Sequence, residues 1–263
     1  MNFSGTVAEI YDRHLSRAIF DPFAKRLVRG LPECQSALEI ACGTGVCTRR
    51  LANILPEDAV VIASDASESM VSIAARKLLT SSSVQWVRAK AESLPFRDDT
   101  FDLAVCGFGV MFFDDRLAAF EEVFRVVLPG GLFRYTVWAS ESQNQWIEVV
   151  RAAVSAFFPD VEATWYEAPF QFFELDANIK LLAAAGFPDV RVNPIKLSLR
   201  SVDPVSLARG FIQGNPAVRA LTAQREIPFH ELENAVASGF VKAFGSPIEA
   251  NMKAFIFEAG VIK

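Results

Sequence analysis

The chain is poor in the residues that build metal centres and redox frameworks. Its 263 residues include only two histidines, His14 and His230, and four cysteines, Cys34, Cys42, Cys47 and Cys106. No two cysteines form a C-x-x-C pair, which argues against both a zinc site and a disulfide framework. Buried thiols in a reducing cytosol are the expectation. No apolar run reaches the ~18–20 residues needed to span a bilayer. The start, Met1-Asn2-Phe3-Ser4-Gly5, has neither a basic region nor a following apolar stretch, so no signal peptide is expected. Excess positive charge is also missing. Lys plus Arg is 26, Asp plus Glu is 31, and the net charge is −5, which argues against a generic nucleic-acid or anionic-membrane binder.

What is present is apolar. Hydrophobic residues make up 51%, enough for a large core. Short β-branched runs alternate with helix-period stretches, the pattern of a parallel sheet with crossover helices. Two helices are expected at about 4–16 and 19–29, the second started by Asp21 as cap and Pro22 in the first turn. Strands are expected at 37–41, 59–64, 84–89, 101–106 and 132–138. Between them fall helices at about 45–55, 67–79 and 115–128, with Ser81-Ser82-Ser83 as a turn and Pro129-Gly130-Gly131 as a helix breaker. Beyond Ser140, helices are expected at 144–157, 176–185, 204–213 and 229–244, with strands at 190–199 and 252–259. The stretch 200–247 shows no further βα unit and reads as a helical insertion or cap.

The strongest local signal is Leu38-Glu39-Ile40-Ala41-Cys42-Gly43-Thr44-Gly45, a strand running into a Gly-rich turn that opens a helix. Glycine allows positive φ and close approach of a ligand to the backbone, and the helix start offers free N–H groups. Asp65, twenty residues after Gly45, closes the second strand, where a carboxylate suits the two hydroxyls of a ribose. This spacing also fits nicotinamide enzymes. Two details separate the readings: Thr48 replaces the third fingerprint glycine, and Glu39 would repel a pyrophosphate but suits a ligand carrying an ammonium and a sulfonium.

On these residues the chain resembles the class I S-adenosylmethionine-dependent methyltransferases, especially the small-molecule group similar to ubiquinone/menaquinone-biosynthesis enzymes. The matching pieces are LEIACGTG at 38–45, SDASESM at 64–70, KAESLPFRDDTFDLAVCGFGVMFFDD at 90–115, EVFRVVLPGGLF at 122–133 and LLAAAGFPDV at 181–190. The resemblance covers about residues 5–200 and implies a doubly wound, seven-stranded, mostly parallel α/β sheet with the last strand antiparallel. It implies one domain over 1–263: an N-terminal helical lid (1–30), a cofactor-binding core (31–140), acceptor-side helices, cap and strand (141–247), and a final strand (248–263).

The resemblance also implies roles. Glu39, Ala41, Gly43 and Gly45 would hold the methionine portion of S-adenosylmethionine, and Asp65 the ribose. Ala66 and Met70 would pack on the adenine, with Ala91 and Glu92 at its edge. Cys106, Phe108 and Gly109 would face the transfer site, and Tyr11 would be a lid tyrosine. Lys90 stands where related sequences often carry Asp, which puts the adenine contact in question. The acceptor would be small and aromatic or apolar, with O, N or C as nucleophile and His14 or Tyr11 as candidate base. No metal, nucleic acid or membrane is implied, and the enzyme would be a cytoplasmic monomer or homodimer. Competing structural readings stand beside these. Asp65 is also a plausible helix-start carboxylate, Met70 and Ala66 core, Cys106 a buried thiol, Glu92 a solvated loop acid, His14 a surface residue and His230 a helix-start residue. The aromatic clusters Trp165, Tyr166, Phe170, Phe172, Phe173 and Phe108, Phe112, Phe113 are either core or an acceptor pocket. Two other functions remain open: a nicotinamide oxidoreductase and a catalytically degenerate cofactor-binding scaffold.

Overall fold

The alternation of buried runs and amphipathic helices folds into one seven-stranded sheet in a computed structural model that describes residues 5–78, 83–162 and 164–263. The N-terminal segment is α1 (Gly5–Leu15), a π-helical segment Ser16–Phe20 and α2 (Asp21–Leu27). Then come β1 (Ser36–Ile40), α3 (Val46–Ile54), β2 (Val60–Asp65), α4 (Glu68–Lys77), β3 (Val84–Arg88) and β4 (Phe101–Gly107). α5 (Arg116–Val126), β5 (Val127–Trp138), α6 (Gln145–Phe157) and α7 (Leu175–Ala184) follow. The chain ends with β6 (Asp189–Ser201), α8 (Pro204–Gln213), α9 (Pro216–Gln224), α10 (Phe229–Phe244) and β7 (Ile248–Gly260).

The strand order is β3-β2-β1-β4-β5-β7-β6. β1 to β5 pair in parallel, and β7 runs antiparallel to both β5 and β6. The chain winds outward from β1 to β3, then returns to the other side of β1 at β4. That reversal opens a crevice between the carboxyl ends of β1 and β4. Burial on both faces follows the two-residue period of a strand. Ala37, Leu103 and Val105 pack with Leu27, Cys47 and Leu51 on one face. Leu38, Ile40, Ala104 and Cys106 pack with Phe120, Val123 and Leu182 on the other.

Several expected boundaries move for physical reasons. The two N-terminal helices are continuous through the π-helical segment. Asp21 is therefore not a cap; its carboxylate instead accepts from Arg49 and from Arg50. The helix expected to reach residue 128 stops at Val126, and β5 takes in Pro129-Gly130-Gly131. A register shift absorbs them, since Phe101 pairs with Val127 but Leu103 with Leu132. α9 was not expected. Its signal was Asn215-Pro216: the Asn215 carboxamide oxygen accepts from the Ala217 and Val218 N–H groups at 3.0 and 3.2 Å. Ser67 and Asp115 cap α4 and α5. Residues 4, 79, 81 and 82 of the expected elements lie outside the described residues.

Candidate active site

A cavity of about 470 Å³ sits at the carboxyl ends of β1, β2, β4 and β5. Its floor is polar. β1 runs into Ala41, held at φ 53°, then Gly43 at 55° and Gly45 at 80°. A left-handed alanine is strained, and Ala41 occurs beside the crevice. A Cβ on Gly45 would lie 3.0 Å from the Ala74 Cβ, so only glycine lets α3 start this close to α4. A Cβ on Gly43 would meet nothing within 4 Å, so this backbone borders open space.

Asp65 ties β2 to that turn. Its Oδ2 accepts from the Gly43 N–H at 2.9 Å and its Oδ1 from the Ser67 N–H at 2.8 Å. Burial raises its pKa, and these two N–H groups oppose the shift. Each oxygen keeps a further lone pair. Glu39, on β1 two residues before Ala41, is 1% exposed and burial pushes its pKa up to about 8. Its Oε2 has no hydrogen-bond partner, nor do the hydroxyls of Thr44 and Thr48. Buried polar atoms are normally satisfied, so the orphans on Glu39 and Thr44, which both line the cavity, point to a polar ligand. A ligand with an ammonium and hydroxyls fits this donor and acceptor set.

The opposite wall is aromatic. Phe108 follows β4 at φ 56°, its N–H donating to the Thr136 hydroxyl at 3.1 Å. Its ring stacks on Trp138, with centroids 4.3 Å apart and planes at 22°. Phe20, Phe170 and Trp146 surround Trp138 at 5.6–6.5 Å, and Phe211 packs on Trp146 at 5.3 Å. Arg116 donates to the carbonyls of Val110 and Met111, fixing the turn that carries Phe112 and Phe113 into the lining.

α1 and α8 close the remaining side. Added Cβ atoms on Gly210 and Gly214 would fall 2.5 Å from the Leu15 side chain and 3.1 Å from the Tyr11 Cα. Backbone contact at these glycines sets Tyr11 at the cavity, stacked on Phe20 at 5.1 Å. Lys77 donates to Asp12 at 2.7 Å and to the Thr44 carbonyl at 3.0 Å, joining α1 to the Gly-rich turn through α4.

Of the residues named from sequence, Tyr11, Glu39, Ala41, Gly43, Asp65, Ala66, Met70, Ala91, Glu92 and Phe108 line this cavity, while Gly45 shapes the turn behind it. Two do not line it. Cys106 shares strand parity with Ala104, so it is fully buried in the core against α5. His14 turns to α8, its Nδ1 2.7 Å from the Ser206 hydroxyl, and burial lowers its pKa. His14 thus lies away from the cavity, whereas Tyr11 lines it with the pKa of its phenol held well above the ordinary range by burial. Lys90 pairs with Asp114 at 3.0 Å, and Glu92 accepts from the Asp114 N–H at 2.8 Å, so both also brace the rim. Tyr166, Phe170, Phe112 and Phe113 line the cavity; Trp165, Phe172 and Phe173 do not. Phe20, Trp138, Trp146 and Phe211 were not singled out from sequence, because they are far apart in the chain and carry no local motif.

Comparison with known proteins places this geometry. A demethylmenaquinone methyltransferase from Bacillus licheniformis is 39% identical over 101 residues, 38% of this chain and 44% of that enzyme's length. The demethylmenaquinone methyltransferase of Staphylococcus aureus strain JH9 is 28% identical over 205 residues, 71% of this chain and 83% of that enzyme. Among solved structures, the YcgJ protein of Bacillus subtilis has a TM-score of 0.58 at 21% identity, covering 92% of this chain and 98% of that one. Phosphoethanolamine N-methyltransferase 2 of Haemonchus contortus, solved with S-adenosyl-L-methionine, has a TM-score of 0.60 at 16% identity, covering 97% of this chain and 57% of that one. The ubiE/COQ5 methyltransferase family matches residues 16–162, more than half of the chain, and the chain therefore belongs to that family.

Proposed function

We propose that this methyltransferase moves the methyl group of S-adenosylmethionine onto a small, apolar, quinol-type aromatic acceptor. The observation that carries the reading is a single cavity with a polar floor at the β1–β2 turn and an aromatic wall at β4–β5. When bound, the cofactor supplies an electrophilic methyl group on a positively charged sulfur, open to in-line displacement by the acceptor's nucleophile.

The chain's own residues bind, orient and exclude water. Asp65, fixed by two backbone N–H groups, is ready to accept from the ribose hydroxyls. Glu39 gives the buried, unpartnered oxygen that an ammonium would satisfy. Ala66 and Met70 offer apolar contact to the adenine, with Ala91 beside it. The Phe108–Trp138 stack and its neighbours supply a dry, flat-sided compartment for a ring. Holding two reactants at near-attack distance is the main requirement for a substrate that is already activated.

The quinol-type acceptor follows the names of the relatives and the aromatic wall. The four free, buried cysteines among the described residues favour a cytoplasmic protein. No helix of the described residues is long and apolar enough to cross a membrane. The net charge of −5 favours a small-molecule acceptor over nucleic acid. We expect a monomer or homodimer. The nicotinamide reading is disfavoured by the family match and by Thr48 in place of the third fingerprint glycine.

Thermal unfolding with S-adenosylhomocysteine and NAD in separate samples tests the cofactor. Ligand at a hundred times its Kd stabilises by about 2.7 kcal/mol, or ~5–10 °C at ~2–4 °C per kcal/mol. A rise with the sulfur nucleoside alone supports the reading, and a rise with NAD alone overturns it. Transfer of tritiated methyl from the cofactor to 1,4-dihydroxynaphthalene then tests turnover and separates an enzyme from a degenerate scaffold.

A further inference from the structure

Trp138 and Trp146 both face the cavity, yet their indole N–H groups are treated differently. The Trp146 N–H donates to the Asn144 carboxamide oxygen at 3.3 Å. Asn144 is itself fully buried and held by the Ala139, Ser140 and Lys253 backbone. The Trp138 N–H donates to no atom of the described residues, although the residue is only 4% exposed. Buried tryptophan usually finds an acceptor for this group, because leaving it unmade costs its hydration. The sealed, unpartnered polar side-chain atoms belong to Glu39, Thr44, Thr48, Arg134 and Arg151. The Trp138 nitrogen is not one of them, so it keeps contact with open space. The open space beside Trp138 is the cavity.

We infer that the Trp138 indole N–H donates a hydrogen bond to an oxygen of the methyl acceptor and sets how the ring lies in the aromatic compartment. This rests on the proposed function above and adds to it a positioning residue and a requirement on the substrate: a carbonyl, phenolic or enolic oxygen on the ring. The ring of Trp138 is pinned by Phe108 on one face and by Phe23 edge-on at 5.1 Å, so the donor is held in place before the ligand arrives. A fixed donor left unpaired rejects an analogue that lacks the matching acceptor.

The test uses the full chain loaded with S-adenosylhomocysteine and two matched probes, 2,3-dimethyl-1,4-naphthoquinone and 2,3-dimethylnaphthalene. They share a ring outline and differ in the two oxygens. Tryptophan labelled with ¹⁵N at the indole gives four N–H signals, one per tryptophan, and W138F identifies the Trp138 signal by its loss. The expected result is a downfield shift of that signal with the quinone and none with the hydrocarbon. W138F, which keeps an aromatic ring but removes the donor, should weaken quinone binding roughly three- to tenfold more than it weakens hydrocarbon binding. Equal shifts with both probes, or equal losses in W138F, would overturn the inference. If W138F does not fold, W86F, W146F and W165F assign the other three signals and leave that of Trp138 by elimination, and the wild-type shifts then decide. Failure of S-adenosylhomocysteine to bind would instead strike the cofactor reading, and is seen separately in the unloaded protein.

Discussion

The Asp65 carboxylate grips the Gly43 N–H across the carboxyl edge of β1 and β2, at 2.9 Å. One side chain thus shapes the turn and borders the ligand space. Asp65→Ala should lose both roles, and Asp65→Asn should keep the acceptor to Gly43 while losing charge. S-adenosylhomocysteine affinity by calorimetry should fall about ten- to a hundredfold in the alanine variant and less in the asparagine variant. Unchanged affinity in both would remove Asp65 from the binding site.

The two glycines of the turn should separate stability from binding. Gly45→Ala meets Ala74 at 3.0 Å in a left-handed conformation, so it should destabilise by roughly 1–2 kcal/mol. Gly43→Ala meets no protein atom within 4 Å and projects into open space. It should lower the melting temperature less and cofactor affinity more. A larger affinity loss for Gly45→Ala would contradict this division.

Glu39 sets a pH dependence. Its folded pKa near 8 lies above its ordinary value of 4.5. The folded chain therefore holds the proton more tightly than the unfolded chain. Its contribution to stability is complete below about pH 4.5 and is lost as pH rises towards 8, by on the order of 1.4 kcal/mol per pH unit at most. Urea unfolding at several pH values should show wild type losing stability relative to Glu39→Gln between pH 5 and 8. Parallel curves would mean that Glu39 is already ionised. Ligand binding that places an ammonium beside Glu39 should also release protons at pH 7, and Glu39→Gln should abolish that release.

Lys77 joins α1 to the Gly-rich turn through Asp12 and the Thr44 carbonyl. Lys77→Met should change global stability by less than about 1 kcal/mol, as expected for a partly exposed ion pair. Amide exchange in α1 should nonetheless speed up, and S-adenosylhomocysteine should dissociate faster in stopped-flow traces. Unaltered exchange in α1 would show that its packing on Gly210 and Gly214 suffices to hold it.

The cofactor half of the cavity was legible in the sequence because it is local. One strand, one turn and one carboxylate at fixed spacing specify it, and strand parity follows from alternation. Alternation along β4 puts Cys106 on the face of Ala104, where it is fully buried beneath Gly109 rather than in the cavity lining. The acceptor half was legible only where aromatics cluster in the chain, at Phe112, Phe113, Tyr166 and Phe170. Phe20, Trp138, Trp146 and Phe211 come from four segments, and only tertiary packing brings them together. A shared helix face with Tyr11 does not fix which neighbour His14 meets, and the structure sets it against Ser206 on α8. The early start of β5 was hidden because Pro129-Gly130-Gly131 has the composition of a loop, while a register shift lets the strand carry it.

The cavity is assembled from two inheritances. Its polar floor draws on residues 39–67, and its aromatic wall draws on segments at both ends of the fold, from residue 11 to residue 215. Substitutions in such separated groups act nearly independently when they share no partners. The wall can drift, lose a ring or gain a polar group without disturbing the turn that begins at Ala41. A lineage built this way changes what it modifies while keeping its source of the transferred carbon, and laboratory selection for a new acceptor should find its mutations in α1, α6 and α8.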